Sequence, residues 1–231
     1  MKKTILSLLN VTDTFKVSVT CALFFIITST VFAQKTAFVQ VKTQELYDET
    51  PVETDASING FKELIVFGDD LDNTVWVSPE KQCVTLEKEN VQTYSGNGAL
   101  HVKWDKVTGG CKWIGIGFGW NNWQPKDMGE VITVSALQFQ VKAVKGSFSN
   151  LPVAFAFEDY TGVQSYYGFN KTLVTGDFND KEWRTVTIPL KNFPFEGNDA
   201  DISKIKQFMI QLEGDGDIYL DDIRIVQYVQ P

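Results

Sequence analysis

Hydrophobic and polar residues alternate with a period of two in several short segments of the chain. The apolar members of four such segments are Leu137, Phe139 and Val141, then Val153, Phe155 and Phe157, then Val186, Ile188 and Leu190, and finally Phe208, Ile210 and Leu212. This period is typical of a β-strand with one buried face. Because turn-forming residues separate the segments and no stretch sustains a helical period, the pattern predicts an all-β fold. We expect an antiparallel β-sandwich or jelly roll.

Residues 113–120 alternate in an unusual way, because one side of the predicted strand carries almost no side chains. The predicted core side consists of Ile114, Ile116 and Phe118, and the other side consists of Trp113, Gly115, Gly117 and Gly119. A row of glycines weakens a strand, so some other gain should offset that cost. We expect a sugar ring to lie on this strip, with its C–H face against Trp113. The alternative is that another backbone segment, such as the N-terminal arm, packs over the glycines.

Further polar and aromatic residues are candidates for the same ligand-binding face. Trp123 lies in an Asn-Asn-Trp-Gln loop whose amides suit hydroxyl recognition, although the loop is equally compatible with a turn that covers the indole. The other candidates are Asp159, Tyr160, Tyr166 and Tyr167 around a Thr-Gly turn, and Gln211 and Glu213 on the polar side of a strand. For Gln211 and Glu213 the alternative is an ordinary solvated face.

The first 33 residues are predicted to be a signal peptide. Lys2, Lys3 and Lys16 precede an uncharged run over residues 17–32, and the run ends in a small-residue cleavage site at Ala33. An uncleaved anchor is the alternative, but this run of about 16 residues is shorter than the roughly 20 that span a bilayer. We therefore expect a secreted, periplasmic or cell-surface protein that is not inserted in a membrane after cleavage. Residues 34–60 read as an acidic arm or linker, and residues 61–231 as one domain.

Removal of the signal peptide leaves a strongly acidic chain. The remaining 198 residues contain 18 Lys and Arg against 28 Asp and Glu, a formal net charge of −10. Such a surface repels nucleic acids and anionic lipids, whereas neutral glycans and metal cations remain possible partners. Two cysteines, Cys83 and Cys111, remain. In an oxidising compartment they could form one disulfide, and the alternative is two buried thiols.

Four segments of the chain resemble those of a known family. They are Ile65-Val-Phe-Gly-Asp-Asp leading to Trp76, Ser95-Gly-Asn-Gly-Ala-Leu-His-Val, Trp183-Arg-Thr-Val-Thr-Ile-Pro-Leu, and Gly216-Asp-Ile-Tyr-Leu-Asp-Asp-Ile-Arg-Ile. With these segments, residues 61–231 resemble the galactose-binding-like jelly-roll carbohydrate-binding modules, especially those that bind β-glucans. The Tyr and Arg residues that line the glucan cleft in that group have no clear counterparts here. The resemblance therefore implies the fold more directly than the ligand.

The resemblance also implies a structural Ca²⁺ ion. The Asp of the closing strand that corresponds to Asp221 binds calcium in that group, together with acidic residues of the opening strand, here among Asp69, Asp70 and Asp72. By strand parity Asp221 points to the apolar side with Ile223 and Ile225, and a buried carboxylate needs a partner. Ca²⁺ accepts carboxylate and carbonyl oxygens, and a Lys or a backbone amide is the alternative partner.

Enzymatic functions have weaker support in the sequence. His101 is the single histidine, which leaves one candidate base for a Ser-His-Asp or Cys-His site and too few ligands for a His-rich metal centre. We predict non-catalytic binding of a polysaccharide or oligosaccharide, in the service of a separate catalytic or surface protein. The alternatives are a structural or adhesion domain without a sugar ligand, and a polysaccharide hydrolase or lyase.

Overall fold

The computed structural model describes residues 57–80, 82–168 and 175–228. The predicted signal peptide and all but the last residues of the predicted arm lie outside these ranges. Within the described part of the chain, no helix is long and apolar enough to cross a bilayer.

The described residues form short strands joined by turns. The strands are β1 (Ile65–Phe67), β2 (Val75–Val77), β3 (Val84–Glu89), β4 (Ala99–Asp105), β5 (Gly115–Phe118), β6 (Ser135–Ala143), β7 (Ser147–Asn150), β8 (Val153–Asp159), β9 (Gln164–Tyr167), β10 (Thr175–Asn179), β11 (Arg184–Pro189), β12 (Ile205–Leu212) and β13 (Asp215–Gln227). Single 3-10 turns lie at Leu190–Asn192, Glu196–Asn198 and Ile202–Lys204. All strand pairs are antiparallel.

Two sheets pack face to face. The six-stranded sheet has the order β11-β6-β13-β4-β3, with β1 also paired to β13, and the five-stranded sheet has the order β2-β5-β12-β8-β9. A smaller sheet consists of β10 and β7. Aromatic rings join the two main layers, since Phe139 of β6 lies 5.1 Å from Phe155 of β8 between ring centroids. The fold is an antiparallel β-sandwich, as the sequence predicts.

The alternating segments occupy the positions that their pattern predicts. They form β6, β8, β11 and β12, and their twelve predicted core residues are all buried. Leu190 is the one member outside a strand, because β11 ends at Pro189 and Leu190 begins a 3-10 turn. The core also includes Ile58, which the sequence assigns to the arm, because Ile58 pairs with Phe61 and both are buried.

The predicted orientation of Asp221 is wrong, and a β-bulge is the reason. Asp221 faces Gln140, but Arg224 faces Gln138, so three steps along β13 match two steps along β6. Asp222 at the bulge has a left-handed φ of 52°. The extra residue shifts the alternation, so that Leu220 and Ile223 belong to the core while Asp221 lies on the outer side of the sheet.

A disulfide joins Cys83 to Cys111, the pair that the sequence names. It connects the start of β3 in one sheet to the segment that leads into β5 in the other sheet. The bond therefore links the two layers close to Trp113.

Candidate functional site

Tryptophan indoles cover the glycines of β5. Trp76 of β2 pairs with Gly117 across the strands, and a Cβ atom added at Gly117 would lie 2.3 Å from the Trp76 ring. A Cβ atom at Gly115 would lie 2.8 Å from the Trp113 ring. The expectation of a bare strip is therefore wrong, because the chain's own indoles occupy it. The alternative of a covering backbone segment does not describe these positions either.

A third indole reaches the same side of β5 through a strained turn. Asn121, Asn122 and Trp123 all have positive φ angles, of 57°, 50° and 63°. Asn tolerates this region, but a bulky residue such as Trp rarely adopts it. The turn places the Trp123 ring over Gly119, where an added Cβ would lie 2.2 Å from the indole. Strain of this kind is typical of functional positions, where it fixes a side chain that function requires.

We call Trp76, Trp113 and Trp123 the indole platform. The ring centroids of Trp76 and Trp113 are 6.1 Å apart, and their planes differ by 25°. All three side chains are half-buried, since one face of each ring lies on the sheet. Alternate residues of a strand are roughly 6.5 Å apart, so the three glycines spread the rings along about two such steps of β5.

A hydrogen-bond network holds the Trp76 ring at its edge. The indole Nε1 of Trp76 donates to Oε1 of Gln207 at 2.7 Å, and Nε2 of Gln207 donates to Oε1 of Glu158 at 3.0 Å. Lys206 Nζ donates to the same carboxylate oxygen at 2.9 Å. Glu158 and Gln207 are buried, so the cost of their desolvation is offset by these bonds.

The network continues to the far edge of the sheet. Gln164 of β9 donates to Oε2 of Glu158 at 2.6 Å, and the Tyr166 hydroxyl donates to Oε1 of Gln164 at 3.0 Å. Burial raises the pKa of the Tyr166 hydroxyl; a hydrogen bond with Trp113 opposes this shift and the charge of Glu158 adds to it. Tyr166 therefore stays protonated at neutral pH and contacts the platform.

Trp113 has a second network of its own. Its indole Nε1 donates to Oε1 of Gln211 at 3.0 Å, and Nε2 of Gln211 donates to Oε1 of Glu213 at 2.5 Å. Lys106 Nζ pairs with the other oxygen of Glu213 at 2.7 Å. Gln211 is buried and Glu213 is half-buried, so both position the ring, and Glu213 also lies at the margin of the platform.

The predicted tyrosines separate between the two faces of the sheet. Tyr160 is 46% exposed, and its hydroxyl donates to the carbonyl of Trp123, which places it beside the platform. Tyr166 lies on the platform side. Tyr167, the next residue in β9, turns into the core and packs against Phe193 with 5.6 Å between ring centroids. Adjacent strand residues face opposite sides, so Tyr167 does not belong to the site.

Asp159 shapes a turn below the surface. Its Oδ1 accepts hydrogen bonds from the Thr161 backbone and hydroxyl and from the Val163 backbone, and its Oδ2 accepts one from the Asp201 backbone. Burial by itself would raise its pKa, but the bonds from Asp201 and Thr161 outweigh that effect and lower it. A fully buried carboxylate with these partners stabilises the turn and presents no oxygen to a ligand on the surface.

The predicted metal residues belong to the six-stranded sheet, away from the platform: Asp221 is in the middle of β13, and Asp69 and Asp70 follow β1. Asp221 is fully buried, and its Oδ2 accepts hydrogen bonds from Tyr94 N at 2.7 Å and Ser95 N at 3.2 Å. Burial raises the pKa of Asp221, and the nearby charge of Asp69 raises it further. Asp70 instead pairs with Lys88 and is exposed.

The structure shows the alternative partner of Asp221, a backbone amide, since Tyr94 N, Ser95 N and Asp222 N donate to its carboxylate. Among the described residues, no three His, Cys, Asp or Glu side chains cluster as metal ligands. A calcium ion held by Asp69 and Asp221 would therefore need backbone carbonyls as its further oxygens, which Ca²⁺ commonly uses.

A comparison with protein families matches residues 63–227 to the model described as "Carbohydrate binding domain 30". The match includes every member of the indole platform and both networks below it. The chain belongs to carbohydrate-binding domain family 30. Among curated proteins, no sequence matches the chain significantly.

Solved structures agree with this family 30 domain in fold. The family 30 carbohydrate-binding module of a cellulosomal cellulase from Clostridium thermocellum is 17% identical, with a TM-score of 0.55 over 72% of this chain and 98% of that one. A second family 30 module is 18% identical, with a TM-score of 0.54 over 72% and 88% of the two chains. An exo-β-agarase is 14% identical, with a TM-score of 0.51 over 72% of this chain but 26% of the agarase.

Sequence patterns found two of the three platform residues in this family 30 domain. They missed Trp76, because β2 has three residues and its alternation is too short to recognise. They also missed the supporting residues Gln207, Glu158 and Gln164, which look like ordinary solvated positions. The row of glycines is the sequence signal for Trp76, because a strand position without a side chain leaves room for a large side chain from a neighbouring strand.

We predict that Gly117→Ala displaces the Trp76 ring. The added methyl group would overlap the indole, so the ring must move off the sheet and lose its bond to Gln207. The expected result is a changed environment for the Trp76 indole N–H in the NMR spectrum. Gly197→Ala is the matched control, because an added Cβ there meets nothing within 4 Å. An unchanged Trp76 signal in Gly117→Ala would contradict the packing described.

Proposed function

We propose that this family 30 domain binds a neutral polysaccharide or oligosaccharide on the indole platform and catalyses no reaction on it. The observation that carries the proposal is the arrangement of three half-buried indoles over three glycines on one sheet face. A soluble protein gains little from such an arrangement unless the outer ring faces meet a ligand.

Stacking is the main attraction in this proposal. The Nε1 atoms of Trp76 and Trp113 are already bonded to Gln207 and Gln211, so the rings are fixed in place and offer their faces. The C–H face of a pyranose ring is apolar and matches such a surface, and its burial removes apolar area from water. Because the platform exists before the ligand arrives, little ordering entropy is lost on binding.

The polar groups around the platform favour a ligand without charge. Glu158 is paired with Lys206, and Glu213 is paired with Lys106, so both carboxylates beside the rings are neutralised by a lysine. The Tyr166 hydroxyl and the side chains at the margin can exchange hydrogen bonds with sugar hydroxyls. Because each carboxylate is already paired with a lysine, neither pair offers a free charge that would attract a charged polymer.

The same pairing supports a binding role for the platform, not a catalytic one. Glycoside hydrolysis uses two carboxylates that can act as acid, base or nucleophile. Glu158 accepts hydrogen bonds from Lys206, Gln207 and Gln164, and Glu213 accepts them from Lys106 and Gln211. Both carboxylates hold the rings in position, which suits binding.

We predict that Trp113→Ala lowers affinity about tenfold, since a stacked aromatic contact contributes roughly 0.5 to 1.5 kcal/mol beyond area burial. Trp76→Ala should have a similar effect. The measurement is affinity electrophoresis in gels that contain mixed-linkage β-glucan, xylan or mannan. Ile65→Ala, at an exposed site of β1 in the six-stranded sheet and therefore on the sheet opposite the platform, serves as the control.

Two results of this electrophoresis, and one result of an end-group assay on the same polysaccharides, count against the proposal. Wild-type protein that is not retarded by any of the polysaccharides would favour a structural or adhesion role. Unchanged retardation of the tryptophan variants would place binding elsewhere. Release of reducing or unsaturated ends from the polysaccharides would indicate a hydrolase or lyase.

A structural calcium ion is part of the proposal. Asp69 and Asp221 would hold the ion, with carbonyls of the 94–98 loop as further ligands, and the ion would neutralise the two converging carboxylates. Asp69 Oδ1 already accepts hydrogen bonds from Asn97 N and Gly98 N at 2.7 and 3.1 Å. The loop therefore lies against both carboxylates through its backbone N–H groups, and an ion would have to draw its further oxygens from the carbonyls of the same loop.

We predict that a chelator lowers the melting temperature of the wild-type domain and that added Ca²⁺ restores it. The physical reason is linkage, because an ion that binds only the folded state stabilises that state. Asp221→Asn should melt at a lower temperature and respond to neither reagent. A wild-type midpoint that is equal with and without chelator would remove calcium from the account.

Export and a separate partner complete the proposal. A disulfide in the domain fits an oxidising compartment outside the cytoplasm, which agrees with the predicted signal peptide. There the domain would hold a catalytic or surface protein close to its polysaccharide.

A further inference from the structure

A second row of aromatic side chains crosses the opposite face of the sandwich. The rings of Tyr94 and Trp183 are 6.1 Å apart between centroids, those of Trp183 and Tyr219 are 6.4 Å apart, and those of Tyr219 and His101 are 5.2 Å apart. We call these four residues the second aromatic row. It lies on the six-stranded sheet, whereas the indole platform lies on the five-stranded sheet.

The second aromatic row faces outward. His101 of β4 pairs with Tyr219 of β13, and the alternate residues Leu100, Val102 and Leu220 belong to the buried core. Tyr94 is 37% exposed, and the other three side chains are half-buried. The core therefore does not need these rings, which leaves their outer faces available.

Positively and negatively charged side chains lie among the rings. His101 Nε2 is 2.7 Å from Oδ1 of Asp217. Lys142, which pairs with Tyr219 across the strands, donates to Oε1 of Gln92 at 2.9 Å. Glu87 is exposed and pairs with His101. Donors and acceptors thus alternate with aromatic faces, as they do at the indole platform.

The loop that carries Tyr94 is fixed from below. The backbone N–H groups of Tyr94 and Ser95 both donate to the buried carboxylate of Asp221. Asp221 alternates regularly with Tyr219, so both face this side of the sheet before the bulge in β13 shifts the register. Tyr94 is therefore held against Trp183 before any ligand arrives, which reduces the ordering that binding would require.

We propose that the second aromatic row is a second glycan-binding surface, which stacks a pyranose ring of a neutral polysaccharide. The ligand class rests on the proposed function of the platform. Glu87, Lys142 and Asp217 interrupt the apolar surface, which disfavours a second copy of the chain as the occupant, since stable protein interfaces need a larger contiguous apolar centre. With two faces on opposite sheets, one domain would bridge two glycan chains.

The test follows the indole N–H signals of the full chain by NMR during titration with cellohexaose, xylohexaose and mannohexaose. In the Trp76→Ala/Trp113→Ala variant, which lacks most of the platform, the Trp183 signal should still shift and saturate. Adding Tyr94→Ala should weaken that response about fivefold, as expected for loss of one ring contact. Trp104, which is buried, supplies an internal reference signal that should not move.

The outcomes separate this proposal from the proposed function. A shift of Trp113 without a shift of Trp183 in the wild type would overturn the second surface alone, and no shift at either position would overturn both. A Trp183 shift that vanishes in the double variant would also overturn it. Two further results would assign the row to another occupant: a Trp183 shift on dilution without sugar indicates self-association, and a shift on removal of residues 34–56 indicates that the arm covers the row.

Discussion

The contact between glycine backbone and tryptophan indoles on β5 is the constraint on which the site depends. A strand with side chains at 115, 117 and 119 could not hold the rings flat, because each added Cβ would lie within 2.8 Å of an indole. The glycines weaken the strand, and the packing of three large rings against it offsets that loss. The row of glycines that lowers the stability of the strand therefore also makes a rigid aromatic surface possible. The core side of β5 remains fully apolar.

Buried polar groups hold this surface in position without leaving a net charge beside it. In each of two networks, an indole N–H donates to a glutamine, the glutamine donates to a glutamate, and the glutamate pairs with a lysine. The glutamine is Gln207 for Trp76 and Gln211 for Trp113. Glu158, Gln207 and Gln211 are buried, so removal of one of their partners would leave a buried polar group unbonded, which is costly in a protein interior. The networks thus explain why amides and carboxylates lie below the aromatic layer. They also support the proposal that the ligand of this family 30 domain is a neutral glycan.

The sequence predicts the sandwich well because a period of two needs only local residues. It also predicts Trp113 and Trp123, which are next to the glycines in the chain. Trp76 depends on which strands are neighbours, and that pairing is a long-range property that alternation does not contain. Asp221 was misplaced because a bulge reverses parity at one residue, and nothing in the local pattern signals it. Tyr167 differs from the prediction for a local reason, because adjacent residues of a strand face opposite sides and only one of Tyr166 and Tyr167 can face a ligand.

Protection of individual tryptophans from oxidation tests the central claim most directly. N-bromosuccinimide oxidises exposed indoles, and peptide mass spectrometry reports the rate at each tryptophan with and without saturating polysaccharide. The account predicts that a bound glycan slows oxidation of Trp76, Trp113 and Trp123 together, while the buried Trp104 stays unreactive in both samples. Oxidation rates at the three platform indoles that are the same with and without a bound glycan would contradict it.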